Sequence, residues 1–142
     1  MKTLDMKETQ EFFEIMNNMR EKFKQKWFNK TEIAMHRALQ FLISGSTPYY
    51  CKAGKTLITV GSDGSVYPCR RMPILTGNIL NNSLKDIYFT SSILQGLRNK
   101  NNINKHCKKC VYQEFCQGGL KCLSYALTGS PFNKDPSCWV IR

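Results

Sequence analysis

Seven cysteines in the later part of the chain constrain its fold more than any other feature. They are Cys51, Cys69, the dense run Cys107-x2-Cys110-x5-Cys116-x5-Cys122, and Cys138. An odd number leaves one thiol unpaired in a closed set of disulfides, whereas two metal sites with four and three thiolates use every cysteine. The spacing therefore predicts thiolates that converge on metal.

The length and composition are compatible with one modest hydrophobic core. The chain has 142 residues, of which 42% are hydrophobic, and a chain of this size can fold as a single domain. It contains no run of about 18 apolar residues and no basic N-terminal segment followed by an apolar stretch. We therefore expect no membrane span and no signal peptide, and a cytoplasmic protein with reduced thiols.

The net charge is +11, from 21 Lys and Arg against 10 acidic residues. Many of the cations stand near cysteines: Arg70, Arg71, Lys105, Lys108, Lys109 and Lys121. Neighbours of this kind favour thiolate over thiol and offset the charge of an anionic cluster. A nucleic acid or an acidic peptide would also suit a basic chain, and charge alone does not choose among these partners.

The first part of the chain has helical periodicity and no cysteine. Apolar residues recur at helical spacing and predict an amphipathic helix from Thr9 to Trp27, with one stripe on the core: Phe12, Met16, Met19, Phe23 and Trp27. A second helix is predicted from Thr31 to Ser44, with Asn29 as its cap and Gly45 ending it.

The composition changes at Ser46-Thr47-Pro48, which predicts a helical segment over residues 1–47 and a cysteine-rich domain over residues 48–142. The β-branched residues on either side of Gly61-Ser-Asp-Gly64 predict a hairpin whose second strand ends at Cys69. A bend at Ala53-Gly54 would return Cys51 to Cys69. Short helices are predicted after Ser83 and from Ser91 to Arg98. The predicted fold class is α+β, with N-terminal helices followed by a small hairpin and short helices around the metal.

The segment from Cys107 to Cys122 combines a close cysteine pair with a pair of glycines. Cys107-Lys-Lys-Cys110 alone occurs in zinc sites and in redox sites as well. In Cys116-Gln-Gly-Gly-Leu-Lys-Cys122, however, Gly118-Gly119 lets the backbone pass close to a bulky inorganic core and direct its amides toward the sulfurs.

Several motifs carry a family resemblance in addition to the cysteines. The sequence contains Asp63-Gly-Ser-Val-Tyr-Pro-Cys69, Gly77-Asn-Ile79, Cys116-Gln-Gly-Gly119 and Asp135-Pro-Ser-Cys138. With the ordered spacing Cys51-x12-Gly64-x4-Cys69, the stretch from about Tyr50 to Trp139 resembles the SPASM domain at the C-terminus of radical SAM maturases. The resemblance implies two auxiliary four-iron four-sulfur (4Fe-4S) clusters in a small fold beside the barrel that generates the radical.

By position, the resemblance implies that Cys107, Cys110, Cys116 and Cys138 fully ligate the outer cluster. Cys51, Cys69 and Cys122 would hold the inner one, whose fourth iron site is open to substrate or takes a ligand that the sequence does not reveal. The family usually has three residues between the cysteines that correspond to Cys116 and Cys122, and this chain has five.

The sequence contains no Cys-x3-Cys-x2-Cys motif, which in the family holds the cluster that cleaves S-adenosylmethionine. We therefore expect a chain that is not catalytic alone and is a C-terminal piece or a truncated product. S-adenosylmethionine would be used only in a full-length enzyme, with the radical SAM barrel supplied in cis or in trans. The expected role is to accept or relay one electron and to help position a peptide or protein substrate.

The alternative is a zinc-stabilised binding module, which nucleic-acid binding could accompany, because four-cysteine zinc sites also use Cys-x2-Cys pairs and His106 could add a ligand. Zinc fingers usually repeat the close pair, whereas this chain has one, and seven thiols divide poorly into tetrahedral sites. The cluster hypothesis is therefore preferred, without nucleic acid or membrane as a partner.

Overall fold

The structure, a computed structural model, describes residues 3–24, 32–35 and 37–140. Its elements in chain order are α1 (Met6–Lys24), α2 (Phe41–Ser44), β1 (Thr59–Val60), β2 (Ser65–Tyr67), β3 (Gly77–Asn78), α3 (Leu84–Thr90), α4 (Ser92–Arg98), α5 (Lys105–Lys108), α6 (Gln113–Cys116) and α7 (Lys121–Thr128). The combination of short helices with a small antiparallel sheet is the predicted α+β class. No helix among the described residues is both long and apolar enough to cross a membrane.

Helix α1 begins where two acidic residues cap each other. The amide of Glu8 donates to Oδ1 of Asp5 over 2.8 Å, and the amide of Asp5 donates to Oε2 of Glu8 over 2.8 Å, which is the reciprocal pattern of a capping box. The helix thus begins at Met6, three residues before the predicted start at Thr9. The predicted end at Trp27 lies outside the described residues.

The apolar stripe predicted for α1 was wrong at two positions. Phe12 and Met19 are 45% and 43% exposed, whereas Phe13 is 5% exposed. The physical reason is the partner that the helix meets. Phe13 packs with Leu39 and Cys138 and its ring lies 6.2 Å from that of Trp139, so the buried face is rotated by about one residue from the predicted one.

The second predicted helix was wrong in length. Only Phe41–Ser44 is helical, residues 32–35 and 37 are not, and Asn29 and Thr31 lie outside the described residues. The amide of Arg37 donates a hydrogen bond of 2.9 Å to Oε1 of Gln40 three residues on, which is one half of the pattern that caps a helix start. A start near Arg37 leaves only a short helix before Gly45. The predicted end was right, since Gly45 has a φ of 61° and its amide donates to the carbonyl of Phe41.

The predicted hairpin is present and gains a third strand. Thr59 pairs with Tyr67 and Val60 with Val66, both antiparallel, and the second strand also pairs antiparallel with β3 through Ser65 and Asn78. In the turn, Gly64 has a φ of 81°, a value that suits glycine in a tight hairpin connection. The third strand follows Thr76 directly and was not predicted.

Two of the predicted short helices cover this sheet. Ser83 caps α3 because its Oγ accepts a hydrogen bond of 3.0 Å from the amide of Asp86. Ile87 of α3 and Leu94 of α4 form a buried cluster with Val66 of β2. The sheet and the two helices therefore share one core.

The predicted bend at Ala53-Gly54 is confirmed. Gly54 has a φ of 67°, and its amide donates to the carbonyls of Leu57 and Pro68. A Cβ at this position would lie 2.9 Å from Cδ1 of Leu97, so there is little space for a side chain. The bend returns Cys51 to the core cluster that contains Cys69.

The division into residues 1–47 and 48–142 stays a prediction. The packing of Phe13 from α1 against Leu39 and Cys138 shows that the helical segment contributes to the surroundings of at least one cysteine.

Candidate metal centre

The seven cysteines are all free thiols and line two separate cavities. The first is lined by Cys107, Cys110, Cys116 and Cys138. The second has a volume of about 300 Å³ and is lined by Cys51, Cys69 and Cys122. The structure thus brings the cysteines together in one group of four, named the four-cysteine site, and one group of three, named the three-cysteine site.

Short helices and turns position the four-cysteine site. Cys107 is 6% exposed in α5, and the amide of Cys110 donates to its carbonyl. Cys116 is the last residue of α6. Cys138 is 9% exposed, and its amide donates to the carbonyl of Asp135. Apolar and aromatic side chains, including Leu39 and Tyr112, complete the lining.

Backbone amides after Cys116 point at its sulfur, as the glycine pair predicted. Gln117, Gly118 and Gly119 have φ values of 52°, 87° and 76°, and this left-handed run turns the chain around the thiol. Burial, followed by the negative charge of Cys138, raises the pKa of Cys116 to about 11, whereas hydrogen bonds from the amides of Gly118 and Gly119 lower it. Amides in this arrangement also stabilise metal-bound sulfur and tune the metal.

The three-cysteine site lies between the hairpin and α7. Cys69 is 8% exposed at the end of the hairpin, and Cys122 lies in the first turn of α7. Burial, followed by the charges of Cys51 and Cys69, raises the pKa of Cys122, and Arg71 opposes them. The cavity is also lined by four cations: Arg37, Lys52, Arg70 and Arg71.

The electrostatic interactions of the thiols follow the same division. Burial raises the pKa of Cys107, and the charges of Cys138 and Cys110 raise it further. Burial likewise raises the pKa of Cys138, and Cys110 adds to that effect. Cys122 instead interacts with Cys51 and Cys69. The two groups are therefore distinct in charge interactions as well as in position.

Lys121 lies between the two sites. It is 8% exposed, and its Nζ is buried without a hydrogen-bond partner among the described residues. Burial lowers the pKa of Lys121, whereas the charges of Cys51 in one site and of Cys107 and Cys116 in the other raise it. The sequence analysis noted Lys121 only as one of several cations beside cysteines. Its central position depends on α7, which was not predicted, although Gly129 at φ 74° is a C-terminal signal for this helix.

Asp135, the first residue of the Asp135-Pro-Ser-Cys138 motif, is a second buried charged residue. It is 1% exposed, and its Oδ2 and Oδ1 accept hydrogen bonds from the amides of Leu120 and Ser137 over 2.9 and 3.0 Å. Burial raises its pKa, and these hydrogen bonds oppose the increase. The carboxylate thus connects the start of α7 to the turn that carries Cys138.

The donor set and its surroundings fit an iron-sulfur group. Thiolates are the usual protein ligands of such clusters, and the structure adds amides that point at sulfur and cations that offset negative charge. His106, the extra ligand of the zinc alternative, is exposed and does not line either cavity. Among the described residues, no three His, Cys, Asp or Glu side chains form a group that could hold a single metal ion.

Two proteins of known activity are similar to part of this chain. An AdoMet-dependent heme synthase of Methanosarcina barkeri is 31% identical over 88 residues, which are 62% of this chain and 25% of that protein. A PqqA peptide cyclase of Methylocella silvestris is 31% identical over 97 residues, which are 64% of this chain and 26% of that protein. The chain therefore spans about a quarter of the length of these relatives.

Solved structures share the fold. Native anSMEcpe with bound AdoMet superposes with a TM-score of 0.57 at 20% identity, covering 96% of this chain and 38% of that one. Native anSMEcpe with bound AdoMet and Cp18Cys peptide gives a TM-score of 0.53 at 19% identity, covering 91% and 38%. At 19–20% sequence identity, these superpositions show that the chains share a fold and nothing further.

One family model matches the chain, and it describes an iron-sulfur cluster-binding domain. The match covers residues 51–111, which include Cys51, Cys69, Cys107 and Cys110 and end before the three later cysteines. Residues 51–111 of this chain therefore match the SPASM family of iron-sulfur cluster-binding domains.

Proposed function

We propose that this chain is the auxiliary cluster domain of a radical SAM enzyme that modifies a peptide or protein. In the proposal, the four-cysteine site (Cys107, Cys110, Cys116 and Cys138) and the three-cysteine site (Cys51, Cys69 and Cys122) each hold one 4Fe-4S cluster. The observation that carries it is the separation of seven free thiols into groups of four and three around two cavities. Free thiols agree with the cytoplasmic location expected from the sequence.

A cluster of this kind supplies a one-electron acceptor. In the proposed reaction a radical that the barrel has formed on the peptide side chain would lose one electron to this domain and a proton to solvent. The role of the protein residues is to set how readily that happens. The amides of Gly118 and Gly119 stabilise negative charge on the sulfur of Cys116, and the buried positions of Cys107 and Cys138 keep water away from the four-cysteine site.

The three-cysteine site suits a peptide that carries negative charge. Its cavity is lined by Arg37, Lys52, Arg70 and Arg71, and none of the described Asp or Glu side chains lines it. The fourth iron position of this site is left to the substrate or to another ligand. One relative is named for a peptide that it cyclises, and one structural neighbour contains a peptide, which supports a peptide as the partner in this proposal.

The radical itself would come from another part of the enzyme. The chain has no Cys-x3-Cys-x2-Cys motif. It also spans about a quarter of the length of two relatives, one named as AdoMet-dependent and the other as a peptide cyclase. The proposal therefore requires a radical SAM barrel in cis or in trans. The zinc-stabilised, nucleic-acid-binding alternative is not favoured, because the matching family model describes an iron-sulfur domain.

Anaerobic reconstitution with iron and sulfide tests the proposal. We expect a brown protein with about eight irons and eight sulfides per chain. A colourless protein that takes up tetrahedral zinc in preference to iron would contradict it.

The assignment of the cysteines to two clusters needs a separate test. We expect Cys107→Ala to remove one of two electron paramagnetic resonance signals of the reduced protein, and Cys122→Ala to alter the other. Identical losses in the two variants would contradict the division into two sites.

A further inference from the structure

Lys121 is a buried lysine that directly precedes Cys122. Its side chain interacts electrostatically with Cys51 of the three-cysteine site and with Cys107 and Cys116 of the four-cysteine site. A Cβ placed on Gly118, in the loop that directs amides toward Cys116, would lie 3.2 Å from the Nζ of Lys121. The amine thus reaches the wall of the four-cysteine site from a helix that also carries Cys122.

Among the groups around this amine, the cysteine sulfurs are the main source of negative charge that could compensate its positive charge. Its Nζ has no hydrogen-bond partner in the part of the chain that the structure describes. Asp135 interacts with it through space, but the Asp135 carboxylate is already occupied by the amides of Leu120 and Ser137. Lys55 repels it. A buried cation without a partner is costly, and cysteines that bind a cluster as thiolates would supply the negative charge that offsets this cost.

We propose that Lys121 is a positioning residue whose positive charge raises the reduction potentials of the two clusters together. The inference rests on the proposed function, because it requires a cluster at each site. Reduction adds negative charge to a cluster, and a nearby cation stabilises the reduced state more than the oxidised state. Since Lys121 interacts with both sites, its charge shifts both potentials in the same direction and changes their difference little.

Lys55 provides a matched contrast. It is half-buried, interacts with Cys51, and donates a hydrogen bond of 2.8 Å from its Nζ to Oε1 of Gln117. The one thiol with which the charge of Lys55 interacts is Cys51, which belongs to the three-cysteine site. Removal of its charge should therefore shift the potential of the cluster in the three-cysteine site. Loss of its hydrogen bond also affects the loop after Cys116, and Gln117→Leu, which breaks that bond but keeps the charge, measures this second effect.

The experiment is a potentiometric titration of the reconstituted full chain, followed by electron paramagnetic resonance of both clusters. The variants are Lys121→Met, Lys121→Gln, Lys121→Arg, Lys55→Met and Gln117→Leu. The control is Lys85→Met, at an exposed residue that lines neither cysteine cavity, and iron content is measured for each variant. We expect both neutral variants at Lys121 to lower both potentials. The expected shift is about a tenfold change in the ratio of reduced to oxidised cluster at fixed potential, or about 59 mV for one electron.

The remaining variants define the outcomes. Lys121→Arg should keep both potentials near those of the unaltered chain, and Lys85→Met should change neither. Relative to Gln117→Leu, Lys55→Met should lower only the potential of the cluster in the three-cysteine site. Fully loaded Lys121→Met or Lys121→Gln protein with unchanged potentials would overturn the inference and leave the proposed function intact. An unaltered chain that takes up no iron would overturn both. If one of the two neutral variants at Lys121 binds too little iron, the potentials of the other variant test the inference.

Discussion

Lys55 and Gln117, which are 62 positions apart, are joined by a hydrogen bond of 2.8 Å from Nζ to Oε1. Lys55 belongs to the bend that follows Cys51, and Gln117 directly follows Cys116. The contact therefore connects the chain around the three-cysteine site to the chain around the four-cysteine site. Gln117 has a φ of 52°, which is uncommon for a residue other than glycine, and its side-chain bond helps to hold that conformation.

A double-mutant cycle measures this connection. We expect Lys55→Met and Gln117→Leu each to lower the stability of the reconstituted protein, with a coupling energy of about 1 kcal/mol between them, because a hydrogen bond with a charged donor is lost in either variant. The measurement is urea unfolding of the two single variants and the double variant. Strictly additive effects would show that the contact contributes nothing.

The caps of α3 and α4 give a second prediction. Both helices have a serine at the N-cap, but only Ser83 accepts a hydrogen bond from the helix, whereas Ser91 makes no side-chain cap bond. Ser83→Ala should therefore lower the free energy of unfolding by about 1 kcal/mol, and Ser91→Ala should change it by a few tenths at most. Urea unfolding checks both variants under one set of conditions, and equal effects would contradict the assigned caps.

The accuracy of the sequence analysis depended on whether a feature is local. Gly54, Gly64 and Ser83 were placed correctly because a left-handed φ or a side-chain cap is set by neighbouring residues. The buried face of α1 was misplaced because the choice between Phe12 and Phe13 depends on Trp139, more than a hundred positions away. Periodicity identified the helix but not the surface that it meets.

The candidate site shows the same distinction. The grouping of cysteines followed from a resemblance that orders whole motifs, and the amides of Gly118 and Gly119 followed from the local need for a close backbone. The burial of Lys121 and Asp135 was not predicted. Both depend on how α7 lies between the two sites, and the sequence of an eight-residue helix does not reveal which elements it packs against.

The pKa of Cys116 gives a third prediction. In the metal-free protein its pKa is about 11 instead of the ordinary 9.0, mainly because the thiol is buried. Alkylation needs the thiolate, so the rate at Cys116 should rise about tenfold per pH unit up to about pH 11. Mass spectrometry of the Cys116 peptide after timed alkylation measures the rate, and the same protein in urea is the control. An identical pH profile in the two states would contradict the shift.

The same shift has a defined effect on stability. The folded metal-free protein holds the Cys116 proton more tightly than the unfolded chain does, because the folded pKa is the higher one. Ionisation therefore opposes folding, and the free energy of unfolding of the metal-free protein should fall as the pH rises from about 9 to about 11. Below about pH 9 this contribution does not vary with pH.

The last prediction concerns the contact between Gly119 and Asp135. Gly119 has a φ of 76°, and a Cβ at this position would lie 2.5 Å from both Cβ and Oδ2 of Asp135. Gly129 has a similar φ of 74° but has no atom within 4 Å of the added Cβ, so it is a control for backbone strain alone. We expect Gly129→Ala to lower the free energy of unfolding by about 1 kcal/mol and Gly119→Ala to lower it by about 3 kcal/mol or more, because the second change also displaces a buried carboxylate.

Since Asp135 holds the turn before Cys138 through the amide of Ser137, Gly119→Ala should also lower the iron content of the four-cysteine site. Urea unfolding and iron analysis of the two variants separate these effects, and equal losses of stability and iron in both would show that the close approach to Asp135 is unimportant.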